Sequence, residues 1–305
     1  GRLYSYLRFL LPFIWQSIDL TEYDLIITSC SGYIARGFKV RDGAKVVAYC
    51  HTPPRWLYGY DTPTGAQKRW WGQMFMWMVG PFVRYFDFTS AQRVDKWIAN
   101  SKEVAGRIRK FYRKEATVVY PPIEIGAQSS KHLLRQGPEL GYYLMVSRIV
   151  GGKGIGEAIE GATKAGVRLK IAGEKITPFK QLTIKPLNNI EYLGRVDDSK
   201  LAELYTNAKG FVALAHDEDF GMTVVESMAY GSPVLAYNGG GYKETVVEGK
   251  TGILINGTDT KSIAEGIVKM EKTKWDRVAI KKWASKFNRA RFEKEISEVV
   301  NAGIA

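Results

Sequence analysis

With 305 residues, 45% of them apolar and 25% charged, the chain has the makeup of a folded protein of one large or two medium domains, which excludes a disordered or fibrous class. Two cysteines, Cys30 and Cys50, both in apolar strand-like runs, exclude a disulfide framework and suit a reducing compartment. The net charge of +13 is uneven, since residues 1–126 hold 18 Lys/Arg against 10 Asp/Glu and the remainder 26 against 21.

The opening run LRFLLPFIW, 7–15, is too short to span a bilayer and contains Pro12, and no signal-peptide pattern follows Gly1. A cytoplasmic chain without a transmembrane helix is expected. It lacks an initiator Met, and its first clear strand, 24–28, follows a helix-like opening, as in a chain whose N-terminal segment is missing. Further strands are predicted at 45–50, 96–101 and 116–121, with helices between the later ones. In 68–86, KRWWGQMFMWMVGPFVRYF, basic residues alternate with bulky aromatics, which suits an anionic membrane surface, an acidic lipid-phosphate acceptor or nucleic acid. Core packing is expected for Met74, Phe75, Trp77 and Met78, and surface attachment for Lys68, Arg69, Trp70 and Trp71. Asn100 with Glu103 reads as a capping box opening a helix over 101–112.

Pro, Gly and Ser over 121–141 then break the pattern as a linker would. Beyond it, strands at 142–150, 167–173, 190–194, 210–216, 233–237 and 251–255 alternate with helices, and the last segment reads as one or two basic amphipathic helices. Such alternation calls for an α/β fold of parallel sheets covered by helices on both faces. The expected division is a domain over 1–126, a linker over 127–141, a second domain over 142–285, and a helix over 286–305 that crosses back to the first domain. Sheets of this kind bind ligands beyond the carboxyl ends of their strands.

The candidate site residues occupy such loops. In DEDFGMTVVESMAYGSP, 217–233, a helix starts near Met222 and stops at Gly231 and Pro233. Glu218 and Glu226, with seven residues between them, flank the start of that helix, where backbone N–H groups favour an anion. Two carboxylates beside an anion site suit a phosphate with hydroxyl-bearing groups on both sides, the layout of a nucleotide-sugar. A solvated helix residue and an N-terminal charge are the plainer alternative. In SRIVGGKG, 147–154, Arg148 and Lys153 leave a strand end together and would neutralise a diphosphate, unless they are solvated cations of a surface turn. His51, in HTPPRW, stands at a strand's carboxyl end before a rigid Pro-Pro. Gly239, Gly240 and Gly241 permit close backbone approach to a ligand, with Glu244 either a ligand contact or a helix-start charge. Asp217-Glu218-Asp219 spells a metal-binding DxD formally, but it runs straight into Phe220-Gly221 and a helix, so it is discounted and metal-dependent transfer is the minor alternative.

Taken together, the order and spacing resemble the retaining glycosyltransferases of family 4, which have the GT-B fold, two Rossmann-like domains with parallel sheets facing a cleft. Arg148 and Lys153 match that family's R-x4-K, Glu218 and Glu226 its E-x7-E around Phe220-Gly221, and His51 its N-domain histidine. GRV at 194–196 and NGGGYKE at 238–244 fall in the same order, and YCHTPPRW points toward mannosyltransferase-like members. The resemblance implies that Glu226 holds ribose hydroxyls and that Arg148 and Lys153 hold the diphosphate. It also implies that Phe220, Gly221, Met222 and Thr223 meet phosphate and sugar, chiefly by backbone, that Glu218 binds sugar hydroxyls, that Val196 lies near the base, and that His51 approaches the donor sugar. The strand and glycine-rich loop that open the family's N-domain have no counterpart here.

The expected activity is metal-independent transfer of a hexose, mannose among the options, from a GDP- or UDP-linked donor, with no cofactor. The expected acceptor is a glycan or lipid-linked molecule at the inner membrane face, in cell-envelope polysaccharide synthesis, with peripheral contact to anionic membrane and no nucleic acid. A truncated nucleotide-binding module without transfer and a nucleotide-sugar epimerase are the rival readings, and a nucleic-acid binder ranks last.

Overall fold

The computed structural model describes residues 10–60, 70–123, 141–174 and 187–304, apart from the side chains of Trp71, Phe75 and Ile304. The chain divides into two compact units, Gly1–Tyr120 with Phe292–Ala305, and Pro121–Arg291. The expected linker, 127–141, lies outside the described residues except for Gly141.

In the first unit, after helix α1 (Leu11–Ser17), strands β1 (Leu25–Ser31), β2 (Lys45–Thr52), β3 (Lys96–Ala99) and β4 (Ala116–Val118) form one parallel sheet in that order. Strand β2 is buried over five consecutive residues, Val46 to Cys50, as a strand covered on both faces must be. One face packs Ile26, Cys30, Ala48, Trp97 and Ala99 under helix α3 (Lys102–Tyr112). Val47, Tyr49 and Ile98 on the other face meet Phe292, Ile296 and Val300 of the last helix, α10 (Arg289–Ile304).

The α3 cap differs from the sequence expectation by one residue. Ser101, not Asn100, is the N-cap, its hydroxyl accepting from Val104 N at 3.0 Å. Asn100 is instead drawn back toward the sheet, where its Nδ2 donates to the His51 carbonyl at 3.0 Å.

Helix α2 (Trp70–Gln92) also departs from expectation. Met74, Trp77 and Met78, expected in the core, are exposed, because the side of α2 that packs inward carries Val83, Phe86, Asp87 and Ser90 instead. Trp70 is exposed, as expected of it. Lys68, Arg69 and the side chains of Trp71 and Phe75 lie outside the described residues. On its inward side Asp87 is fully buried, accepting from Arg36, Tyr58 and Tyr112. That set of donors is what a carboxyl taken out of water requires, and burial still pushes Asp87 above the usual carboxylate range.

The second unit holds strands β5 (Tyr142–Val146), β6 (Leu169–Ala172), β7 (Ile190–Gly194), β8 (Ala208–Ala213), β9 (Val234–Tyr237) and β10 (Gly252–Ile255). They form one parallel sheet in the order β10-β9-β8-β5-β6-β7. This is the doubly wound order, whose direction of winding reverses between β5 and β8 and opens a crevice at their carboxyl ends. Strand β5 stops at Val146, short of the expected 150, and Ile149 and Val150 instead bury their side chains in the following loop. Around the sheet lie α4 (Ile155–Lys164), α5 (Asp198–Asn207), α6 (Met222–Ala229), α7 (Tyr242–Thr245), α8 (Thr260–Lys272) and α9 (Arg277–Ala284). Helix α8 has no counterpart in the sequence expectations, although Asp259 caps it and Ile263, Ile267 and Met270 recur at helical spacing on its buried side. The expected one or two terminal helices are α9 and α10, joined by a 3-10 turn at Ser285–Phe287.

Candidate functional site

The loops that follow β5 and β8 meet at the reversal point of the second sheet. Their contact is close because Gly154, at φ +72, lies against Leu214, where a Cβ would come within 2.5 Å of the leucine Cβ. Lys153 Nζ donates to Glu218 Oε2 across the two loops at 2.7 Å, with 26% and 19% of the side chains exposed. An ammonium and a carboxylate from separate candidate motifs are thus brought together. Arg148, on the same loop as Lys153, is exposed to solvent.

Helix α6 begins where expected, with Gly221 as its N-cap in the left-handed region at φ +92. The Tyr242 ring occupies the place a Cβ at Gly221 would need, its atoms 2.9 Å from that position. Phe220 is buried with its ring 5.5 Å from that of Phe287, so its backbone alone is left to face a ligand. Met222 is exposed and Thr223 half-buried in the first turn, where backbone N–H groups have no intrahelical acceptor.

Glu226 lies one turn further along, half-buried, and its Oε2 accepts from Tyr205 Oη at 3.1 Å. Burial pushes the Glu226 carboxyl above the usual carboxylate range; the Tyr205 hydrogen bond opposes this and the Asp198 charge adds to it. Tyr205 itself is fully buried on α5, stacked on Tyr230, and its carbonyl accepts from Ser232 Oγ at 2.8 Å. Tyr205 was not singled out by sequence reasoning, and its place in an apolar helix stripe gave no signal of a polar contact. Val196 is half-buried in the loop between β7 and α5.

Two of the glycines after β9 pack against the protein itself. A Cβ on Gly240 would lie 2.4 Å from the Glu218 carbonyl oxygen, and one on Gly241 2.4 Å from the Phe220 Cα. Gly241 N also donates to the Glu218 carbonyl at 2.8 Å. The close backbone approach that these glycines permit is therefore to the protein's own Glu218 loop, which they fix from behind. Glu244 sits in the first turn of α7.

His51 belongs to the first unit. It is exposed at the carboxyl end of β2, hydrogen-bonded through Nε2 to Ser29 Oγ at 2.8 Å, with its ring edge-on to Tyr49. Among the described residues no three His, Cys, Asp or Glu side chains converge as a metal would need, Asp217-Glu218-Asp219 included.

The model of the family described as "Glycosyl transferases group 1" matches residues 129–287, and that of "Glycosyltransferase Family 4" matches residues 1–126. An uncharacterized glycosyltransferase of Methanocaldococcus jannaschii is 27% identical over 192 residues, covering 61% of this chain and 52% of its own length. The alpha-1,3/1,6-mannosyltransferase ALG2 of Dictyostelium discoideum is 25% identical over 281 residues, covering 78% of this chain and 64% of its own. The chain thus spans less than two thirds of these relatives. Among solved structures, Anabaena HepE in complex with UDP superposes with a TM-score of 0.67 at 19% identity, over 96% of this chain and 82% of that one. Sucrose-phosphate synthase of Thermosynechococcus elongatus gives 0.66 at 17% identity, over 92% and 74%. Both likenesses speak to the fold.

Proposed function

The chain belongs to the group 1 glycosyl transferases, with two parallel-sheet α/β domains of the GT-B fold, and we propose that it transfers a hexose, with retention, from a nucleoside-diphosphate donor to a glycan or lipid-linked acceptor. The observation that carries this reading is the meeting of Lys153 and Glu218 at 2.7 Å at the reversal point of the second sheet, on the loop that leads into the helix bearing Glu226. In this reading Lys153 supplies a cation for the diphosphate, Glu218 a carboxylate for sugar hydroxyls and Glu226 one for ribose hydroxyls. Binding of UDP by HepE supports a nucleoside-diphosphate donor, and the mannosyl activity named for ALG2 puts mannose among the sugars.

In this mechanism the acceptor hydroxyl attacks the anomeric carbon from the face the diphosphate is leaving. As the carbon–oxygen bond to the diphosphate breaks, the acceptor proton passes to a departing phosphate oxygen. Arg148 and Lys153 stabilise the charge that collects there, and the N–H groups of Gly221, Met222 and Thr223 hold phosphate and sugar. His51 serves the transfer step rather than nucleotide binding. Metal is not required in this scheme, since the two cations take its place.

Calorimetric titration with GDP, UDP and their sugar conjugates, without metal and beside Glu226→Ala, tests the reading. One nucleotide should bind and the substitution should weaken it. Absence of binding by all of them, or an Arg148→Ala/Lys153→Ala variant with near-normal turnover, defeats it.

A further inference from the structure

Helix α2 is apolar on two opposite faces. One packs Val83 and Phe86 with Tyr33 and Leu57 into the first unit. The other presents Trp70, Trp77 and Tyr85, 75%, 80% and 72% exposed, with Met74, Met78 and Phe82 exposed among them. At 3.6 residues per turn these six fall within an arc of about 140° directed away from Val83, Phe86 and Ser90. Phe82 stacks on Phe13 of α1 at 5.6 Å, and Phe13 and Ile14 are themselves exposed, so the apolar surface continues onto α1.

Charge indicates what such a surface meets. Helix α1 has no ionisable side chain, and the sole acid of α2, Asp87, is buried against Arg36. The exposed faces of both helices therefore carry no carboxylate. Arg84 borders the stripe and Arg93 follows the end of α2, both exposed, within a region of 18 Lys/Arg against 10 Asp/Glu over residues 1–126. A second copy of the chain would bring the same positive charge against it. An anionic lipid surface is complementary in charge, and Trp and Tyr, apolar bodies with one polar group, favour the boundary between headgroups and acyl chains.

We propose that the α1–α2 face docks the protein on anionic bilayers, with α2 lying in the plane of the membrane and Trp70, Trp77, Met78 and Tyr85 inserted among the headgroups. The opposite face of α2 is part of the core, and no helix among the described residues is long and apolar enough to cross a membrane, so docking is peripheral. This deepens the function proposed above, for which it would bring the protein to a lipid-linked acceptor, and it is tested apart from it.

The test is sedimentation of the 305-residue chain with vesicles of phosphatidylcholine, with and without phosphatidylglycerol, beside Trp77→Glu/Met78→Glu. Both substituted side chains are exposed, so the fold should be retained, which circular dichroism checks. The chain should partition onto the phosphatidylglycerol vesicles and less so in high salt, and the double variant should lose at least about tenfold in partitioning. GDP or UDP affinity, titrated separately, should be unchanged in the variant. No partitioning onto anionic vesicles, partitioning indifferent to the substitutions, or self-association that the substitutions abolish would overturn the proposal. Vesicle binding without nucleotide binding would leave docking standing and defeat the transferase reading alone.

Discussion

Lys153 and Glu218 neutralise one another at 2.7 Å, although the proposed chemistry gives one to the diphosphate and the other to the sugar. In the free chain the lysine charge is already shared with a carboxylate, so an incoming diphosphate competes with Glu218 for it. Glu218→Gln should release that competition and remove a negative charge beside the anion. Nucleoside diphosphate affinity should rise about threefold, on the scale of a partly exposed ion pair, while turnover falls about a hundredfold. Calorimetry and initial rates on the same variant measure both; weaker diphosphate binding would mean that Glu218 positions Lys153 instead of competing for it.

The hydrogen bond from Tyr205 to Glu226 sets where the carboxylate proposed to hold ribose points and how readily it ionises. Burial raises the Glu226 carboxyl above its ordinary range and the Tyr205 hydroxyl opposes that rise. Since ribose hydroxyls donate to the ionised form, nucleotide affinity should fall on acidification with a midpoint above the usual value of about 4.3. Tyr205→Phe should weaken binding about fivefold at neutral pH and move that midpoint upward. A merely packing role for Tyr205 would lower thermal stability and leave the midpoint where it was.

Much of the second unit was legible in its sequence because parallel strands buried on both faces write continuous apolar runs, and helix α6 is bounded by glycines and proline. The pairing of Lys153 with Glu218 was not legible, because it depends on β5 and β8 being neighbours across 65 residues of chain, which strand order alone decides. The packing of Gly240 and Gly241 against the Glu218 loop was not legible for a related reason. A glycine reports that something approaches closely, without saying whether that is a ligand or another loop. For α2 the difficulty was different: both faces are apolar, so periodicity could not say which of them is covered.

Stability should record the strain of keeping Glu226 half-buried. Its carboxyl is raised in the fold, so below the unfolded value of about 4.3 both states are protonated and no cost arises. As pH climbs through the raised value the folded state ionises at the expense of its burial, and stability falls relative to acid. Glu226→Gln keeps an oxygen for Tyr205 and removes the charge. Its melting temperature should exceed that of the unsubstituted chain by a few degrees at pH 7, a difference on the order of 1 kcal/mol, and the gap should close near pH 4. The same variant should bind nucleotide at least about tenfold more weakly, the expected exchange of stability for function at a binding carboxylate.

Gly241 tests the support behind the Glu218 loop. Its backbone conformation lies outside the left-handed region, φ −66, so alanine carries no conformational penalty there. The added Cβ would nonetheless stand 2.4 Å from the Phe220 Cα and 2.6 Å from the Asp219 carbonyl oxygen, backbone atoms that a rotamer change cannot move aside. Gly241→Ala should therefore destabilise the second unit by about 1–3 kcal/mol and displace the loop that carries Glu218. Because Glu226 is held from α6 and Tyr205, nucleotide binding should persist at reduced strength while turnover drops further, about a hundredfold, as Glu218 leaves its register with Lys153. Gly249→Ala is the control for substituting a glycine at a turn: it is strained at φ +71 but has open space around it, and it should cost stability without separating turnover from binding.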